Sequence, residues 1–256
     1  MQHKESAHPV PPTGYDKYDY SKFWEERNYE NYADEIAVKR LFAQIDGPHK
    51  KIIDVGGGMG RMIPMYKNLW KEFVILDSSK KQLDDIKAEY LKENITTIHS
   101  LADHMNIEDG TCDAMLSVRL FHYIKNPDDV IHEMNRVLAP GGYLVLEIPN
   151  KFHFKNRILS IFKKNTKNIT SENPVDIAEL HKDVTFVNHH PATIKKLLEK
   201  NNFKIINILS VSNFRSQTLK KIFPAKFLAG VEKHLQKPLA SAWFGPSIYF
   251  LAQKIK

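Results

Sequence analysis

Through the middle of this chain the apolar positions recur in a strand-then-helix order. Lys51–Val55 is a short β-rich run, and residues 61–70 carry helical spacing, with Pro64 where a first turn accepts it. Residues 73–76 predict a strand, 79–91 a helix, Ile95–His99 a strand and 113–118 another. A helix over 126–138, with Pro127 in its first turn, leads into the turn Ala139-Pro140-Gly141-Gly142 and a strand over 143–148. Two helices, over 21–29 and 32–45, come before this series. Gly47-Pro48 ends the second, and Pro9, Pro11, Pro12 and Gly14 make residues 1–15 a flexible arm.

After Pro149 the rhythm breaks. Residues 151–171 hold six Lys/Arg and no acid, with Phe154, Ile158, Leu159 and Phe162 at helical spacing. A helix over 191–200 and a strand over 203–210 follow, then a basic amphipathic stretch over 219–235 and a last apolar strand over 247–252. The strands number seven, and their alternation with helices predicts an α/β, doubly wound, mostly parallel seven-stranded sheet with helices on both faces. Residues 1–46 form an N-terminal arm with helices, 47–256 the main domain, and about 151–187 and 219–243 are additions to it.

Charge sharpens this division. Residues 1–150 hold 18 Lys/Arg against 24 Asp/Glu, and residues 151–256 hold 19 against 6, so the overall +7 conceals a strongly basic second part. Two readings stand: this part faces an anion such as phosphate, membrane headgroups or nucleic acid, or it is a solvated lysine-rich surface. The apolar helical faces in it, Phe154/Ile158/Phe162 and Phe227/Leu228/Val231/Leu235, likewise either pack on the core or meet an amphiphilic substrate at an anionic membrane. Residues 1–20 lack the apolar core of a signal peptide, and the uncharged stretch 238–253 is shorter than the roughly 20 residues of a membrane span. A single cysteine, Cys112, excludes an internal disulfide and a multi-cysteine zinc site, and reads as a buried thiol. The expected location is cytoplasmic, with peripheral membrane contact as an added expectation.

The segment richest in chemistry is Ile52-Ile53-Asp54-Val55-Gly56-Gly57-Gly58-Met59-Gly60-Arg61, with glycines at a strand end just before a helix. Glycine permits a sharp turn and close approach of a ligand, and a helix start offers free N–H groups to an anion. No Gly-Lys-Ser/Thr ending makes this a Walker loop, and Arg61 stands where the dinucleotide fingerprint needs its last glycine. The pattern Asp-x-Gly-x-Gly-x-Gly, from Asp54 to Gly60, resembles motif I of the class I S-adenosylmethionine-dependent methyltransferases. The resemblance covers residues 46–150 well and is nearest to small-molecule enzymes like those of quinone and menaquinone biosynthesis.

The resemblance implies S-adenosyl-L-methionine as cofactor and assigns it a site. Asp54, Gly56, Gly57, Gly58 and Gly60 form the loop, and Asp77, at the end of the second strand with Ser78 beside it, binds the ribose hydroxyls. A carboxylate can accept both hydrogen bonds of a vicinal diol; the other reading of Asp77 is a helix N-cap. Ala102 and Asp103 stand where the family reads adenine, although Leu101 departs from its pattern. Ser117 opens the loop Ser117-Val118-Arg119-Leu120-Phe121-His122-Tyr123 beside the methyl group.

Methyl transfer needs an aligned nucleophile and excluded water, and a base only in some cases. His122 is the catalytic candidate; its other reading is a histidine packed under the cofactor or bonded to backbone. His153, His181, His189 and His190 rank lower, and His189-His190-Pro191 reads as a helix entry rather than a metal site. Arg61 and Arg119 either hold an anionic group or form surface ion pairs. Tyr15, Tyr18, Tyr20 and Trp24 either cover the cofactor or dock the arm. The expected acceptor is a small molecule or lipid-like compound, anionic in one reading. An RNA methyltransferase or a non-catalytic cofactor-binding module is the alternative. Nucleic acid is disfavoured, because Ser117-Val118-Arg119-Leu120 stands where base-nitrogen methylases carry an Asn/Asp-Pro-Pro-aromatic motif.

Overall fold

In the computed structural model, which describes residues 2–5, 10, 24, 27–86, 90, 95–162, 167–179 and 185–255, the expected strands meet in one sheet. The strands are β1 (Gln2–Glu5), β2 (Lys51–Val55), β3 (Glu72–Asp77), β4 (Ile95–His99), β5 (Cys112–Ser117), β6 (Leu138–Pro149), β7 (Val175–Glu179), β8 (Thr185–Asn188), β9 (Phe203–Val211) and β10 (Ser247–Lys254). Their order is β1-β4-β3-β2-β5-β6-β10-β9, with β10 antiparallel to β6 and β9, and β7-β8 a separate antiparallel pair. Seven of the eight sheet strands are those the apolar pattern predicts.

The alternation within strands explains the layers. Ile52, Leu116, Val145 and Tyr249 point to one face, under the helix Asn28–Phe42. Ile53, Met115, Leu146 and Phe250 point to the other, with the helices Pro127–Val137 and Pro191–Lys200. Both faces are thus buried, as a parallel sheet requires, and each such side chain contributes about 1.5–3 kcal/mol by leaving water.

Several expectations need correction. Gln2–Glu5 is not an arm but a strand, paired in parallel with β4 from Gln2↔Thr96 to Glu5↔His99. Without it β4 is a sheet edge with an open ladder of N–H and C=O groups. Most of the remaining arm, including Tyr15, Tyr18 and Tyr20, and most of the helix over 21–29 lie outside the described residues. The helix over 79–91 is helical only over Lys80–Asp84 before its end passes outside them, with Ser79 as its cap. The helix over 61–70 shrinks to Ile63–Tyr66 between turns.

The additions at the sheet's C-terminal edge divide. The helix Ala225–Leu235 buries Leu228, Ala229 and Glu232 and packs on Asn28–Phe42. The helix Phe154–Phe162 buries only Ser160, so its apolar face does not pack on the core. Among the described residues no helix is long and apolar enough to cross a membrane.

Beneath the helix Asn28–Phe42 lies a charge cluster. Asp34, fully buried, accepts two hydrogen bonds from Arg119 Nη2 at 3.0 and 3.1 Å and one from Tyr249 Oη at 2.8 Å, and pairs with Arg61 at 3.3 Å. Arg61 and Arg119 are therefore not surface ion pairs: their side chains are 17% and 11% exposed, and both are held by this carboxylate. Removing one partner of such a buried pair costs about 3–5 kcal/mol, because the other charge stays buried alone. Asp34→Ala should lose stability on that scale in urea unfolding. A loss under about 1 kcal/mol, the scale of an exposed pair, would contradict the cluster's role.

Candidate active site

The loop Gly56–Gly60 leaves β2 at the C-terminal edge of the sheet, where open α/β sheets bind ligands. Its form follows from local packing. Gly58 has φ +53, and a Cβ there would lie 2.8 Å from Gln82 Oε1. A Cβ at Gly57 would meet Ile75 Cγ2 at 2.8 Å and the Asp54 carboxyl carbon at 2.9 Å. Gly56 and Gly60 also turn through positive φ. Asp54 lies under this loop, buried, and accepts a hydrogen bond from Tyr66 Oη at 3.1 Å.

Asp77 ends β3 beside the loop. Its Oδ2 accepts the Gly58 N–H at 2.9 Å and its Oδ1 the Ser79 N–H at 2.8 Å. The helix cap is Ser79, whose Oγ accepts from Gln82 N. The capping reading of Asp77 therefore gives way to a carboxylate that braces the loop through the Gly58 and Ser79 N–H groups. The ends of β3 and β4 are clipped by Ser100 N–H to Asp77 O at 3.1 Å and by His99 Nε2 with Ser78 O at 3.1 Å. This brings the turn Leu101–Ala102–Asp103 near Ser78. Asp103 itself is largely exposed, 3.6 Å from His104, and lines a cavity of about 470 Å³ with His132 and Arg136.

At the ends of β5 and β6 three buried polar atoms have no hydrogen-bond partner among the described residues: Ser117 Oγ, His122 Nε2 and Glu147 Oε1. His122 Nε2 and Glu147 Oε1 are 3.8 Å apart, with the His122 ring edge-on to Phe186. Burial, assisted by Arg119, Arg215, His189 and Arg27, lowers the His122 pKa well below its ordinary value, so the imidazole is neutral. Burial raises that of Glu147, against the pull of Arg119. Arg119 stands at φ +66, its N–H donating to Glu147 Oε2 at 2.9 Å. Such an outlier is held by its surroundings and is common at functional sites. Trp24 stacks on Arg61, whose guanidinium carbon is 3.8 Å from the ring centroid.

Two of the lower-ranked histidines, His189 and His190, are explained by the fold. His189 Nε2 bonds the Phe121 carbonyl at 2.9 Å, and His190 caps the helix Pro191–Lys200 by accepting from Ala192 N at 3.2 Å. His181 lies outside the described residues. Sequence reasoning missed Asp34, Glu147 and Tyr249. The available signal for the first two was an acid in an apolar setting, among Ala33 and Ala37 or between Leu146 and Ile148.

Residues 53–146 match the family model described as a methyltransferase domain. A malonyl-[acyl-carrier protein] O-methyltransferase of Marinomonas sp. is 25% identical over 130 residues, 46% of each chain, so the match spans about half of that relative. A Mycolicibacterium smegmatis protein named as a probable S-adenosylmethionine-dependent methyltransferase is 21% identical over 217 residues, 85% of this chain and 75% of its own. The fold is that of a Listeria monocytogenes protein described as an S-adenosylmethionine-dependent methyltransferase, at TM-score 0.64 and 16% identity, covering 89% of this chain and 99% of that one. Residues 53–146 are thus similar to a methyltransferase domain, within a sheet that has the fold of proteins described as S-adenosylmethionine-dependent methyltransferases.

Two buried carboxyls give the domain a pH signature. Burial pushes Asp54 up to about 7, opposed by the Tyr66 hydrogen bond and Arg61. It pushes Glu232, bonded to Tyr29 Oη at 2.9 Å, up to about 7 as well. The unfolded chain releases these protons near pH ~4. The stability they contribute is thus full below that pH and is lost as pH rises through about 7. Asp54→Asn with Glu232→Gln should gain melting temperature relative to the parent as pH rises from ~4 to about 7. A difference independent of pH would contradict this.

Proposed function

We propose that this chain transfers the methyl group of S-adenosylmethionine to a small-molecule or lipid-like acceptor. The observation that carries the reading is the glycine loop braced by Asp77, with Ser117 Oγ, His122 Nε2 and Glu147 Oε1 along the same sheet edge lacking hydrogen-bond partners among the described residues. The side-chain-free glycine loop, the Asp77 carboxylate at its rim and the Ser117 hydroxyl without a hydrogen-bond partner among the described residues fit the cofactor. When bound, it supplies an electrophilic methyl carbon. Asp77 holds the ribose diol, Gly56, Gly57, Gly58 and Gly60 with Ser78 surround the amino-acid and ribose part, and Ala102 and Asp103 meet the adenine edge. Asp54 acts from beneath, by fixing the loop.

On the acceptor side, an O–H or N–H group reaches both His122 Nε2 and Glu147 Oε1, since one atom can lie about 2.8 Å from each. Methylation makes that proton acidic, so a neutral imidazole of low basicity suffices to take it. Arg119 positions Glu147 through its own N–H. Acyl-carrier chemistry in the Marinomonas relative supports a small or carrier-bound acceptor. Charge at the additions supports an anionic or amphiphilic one.

Calorimetry should give micromolar-scale binding of S-adenosylmethionine, about −8 kcal/mol, and none of NAD. Asp77→Ala should weaken it by about 1.5–3 kcal/mol for each lost charge-assisted bond, and Gly58→Val should weaken it more. Unchanged affinity in folded Asp77→Ala would remove Asp77 from the site. With labelled cofactor and fractionated lysate, label should enter lipid or small metabolites, and His122→Ala should slow that transfer by about 10²-fold or more. Label in RNA alone would overturn the acceptor assignment.

A further inference from the structure

Twelve large apolar side chains are exposed among the described residues, and nine of them fall in two short stretches. The first is Phe154, Ile158, Leu159, Ile161 and Phe162, with Ile161 68% and Phe162 81% exposed. The second is Ile222, Phe223, Phe227 and Val231, with Ile222 64% exposed. Scattered surface apolar residues need no explanation, but two clusters do.

Topology puts both clusters at one end of the molecule. The first follows the end of β6 and the second the end of β9; Ser247, which starts β10, pairs with both Pro149 and Val211. Both connections therefore cross the edge at which the glycine loop leaves β2. Phe154 stacks on Phe244 of the second connection, 4.8 Å between centroids, so the two are in contact. His153 likewise feels the charge of Arg215 across them.

Their charge is one-sided. Residues 151–171 carry six basic residues, of which Lys151 is buried, and no acid; residues 211–246 carry six basic residues, of which Arg215 and Lys220 pair with Glu30, and one acid, Glu232. Glu232 is buried against Tyr29 and Asn213, so it does not offset the surface charge. Lys155, Lys221 and Lys226 are exposed among the apolar side chains. Exposed aromatic and aliphatic groups ringed by lysine are complementary to one surface: acyl chains beneath anionic headgroups.

We propose that the two connections form a single docking face for an anionic phospholipid membrane, holding the sheet's C-terminal edge against the lipid surface. The face lies beside the candidate site, so the acceptor of the proposed reaction is a membrane-borne amphiphile; this last step alone rests on the methyl-transfer reading.

The test is co-sedimentation of the full chain with vesicles of phosphatidylcholine alone and of phosphatidylcholine mixed with phosphatidylglycerol. Binding should be at least about ten-fold stronger to the mixed vesicles and should fall with added salt. Lys155→Glu with Lys226→Glu should weaken it by about five-fold for each lysine lost. Ile161→Ser with Phe162→Ser should abolish it. Both variants should bind S-adenosylmethionine like the parent, which keeps a failure to dock separate from a failure of the cofactor reading. Equal binding to both vesicles, or none, overturns the proposal. So does a dimer in sedimentation analysis that Phe162→Ser dissolves, since a second copy would then cover the face.

Discussion

The arrangement at the sheet's C-terminal edge depends on a single buried carboxylate. Asp34 sits on the helix Asn28–Phe42, yet its partners come from three other places: Arg61 after the glycine loop, Arg119 after β5 and Tyr249 on β10. A charge without water is expensive, and it is tolerated only when its partners are held in good geometry. The helix, the loop exit and two strand ends are therefore fixed relative to one another by the need to satisfy one oxygen pair. Arg119 passes the constraint on: pinned to Asp34, it keeps a left-handed backbone and donates its N–H to Glu147.

That chain of dependence explains why the polar atoms at the edge can remain unpartnered. An isolated buried glutamate beside a neutral histidine would move toward water or toward each other. Here Arg119 holds Glu147 by its N–H on Oε2 and by its guanidinium, 3.7 Å from Oε1, and Oε1 also faces His122 Nε2 at 3.8 Å without a hydrogen bond. Rigid surroundings keep His122 Nε2 and Glu147 Oε1 poised near each other, which suits a ligand that bonds to both. The same logic holds at Asp77, where two backbone N–H groups orient the carboxylate beside the glycine loop.

Much of this was legible in the residues, for physical reasons that differ by element. β2, β4 and the helix Pro191–Lys200 announce themselves by apolar period and by proline at a first turn, and the loop by glycines that a folded backbone needs. Asp34 and Glu147 each interrupt an apolar pattern, which signals burial, but the pattern gives no hint of the buried partner far along the chain. β1 was hidden because its pairing depends on the open edge of β4 and not on any apolar signal in Gln2–Glu5. The two amphipathic additions were legible as amphipathic, but periodicity describes a face without saying what covers it. Helix Ala225–Leu235 finds a partner in Asn28–Phe42, while Phe154–Phe162 leaves its apolar side bare.

The central claim is that Gly56–Gly60 and Asp77 form the cofactor site of this methyltransferase domain. The most direct measurement is a crystal structure with S-adenosylhomocysteine. The account predicts the ribose hydroxyls within hydrogen-bond distance of the Asp77 carboxylate and the sulfur beside Ser117. A ligand seated elsewhere, with no ribose hydroxyl at Asp77, would contradict it.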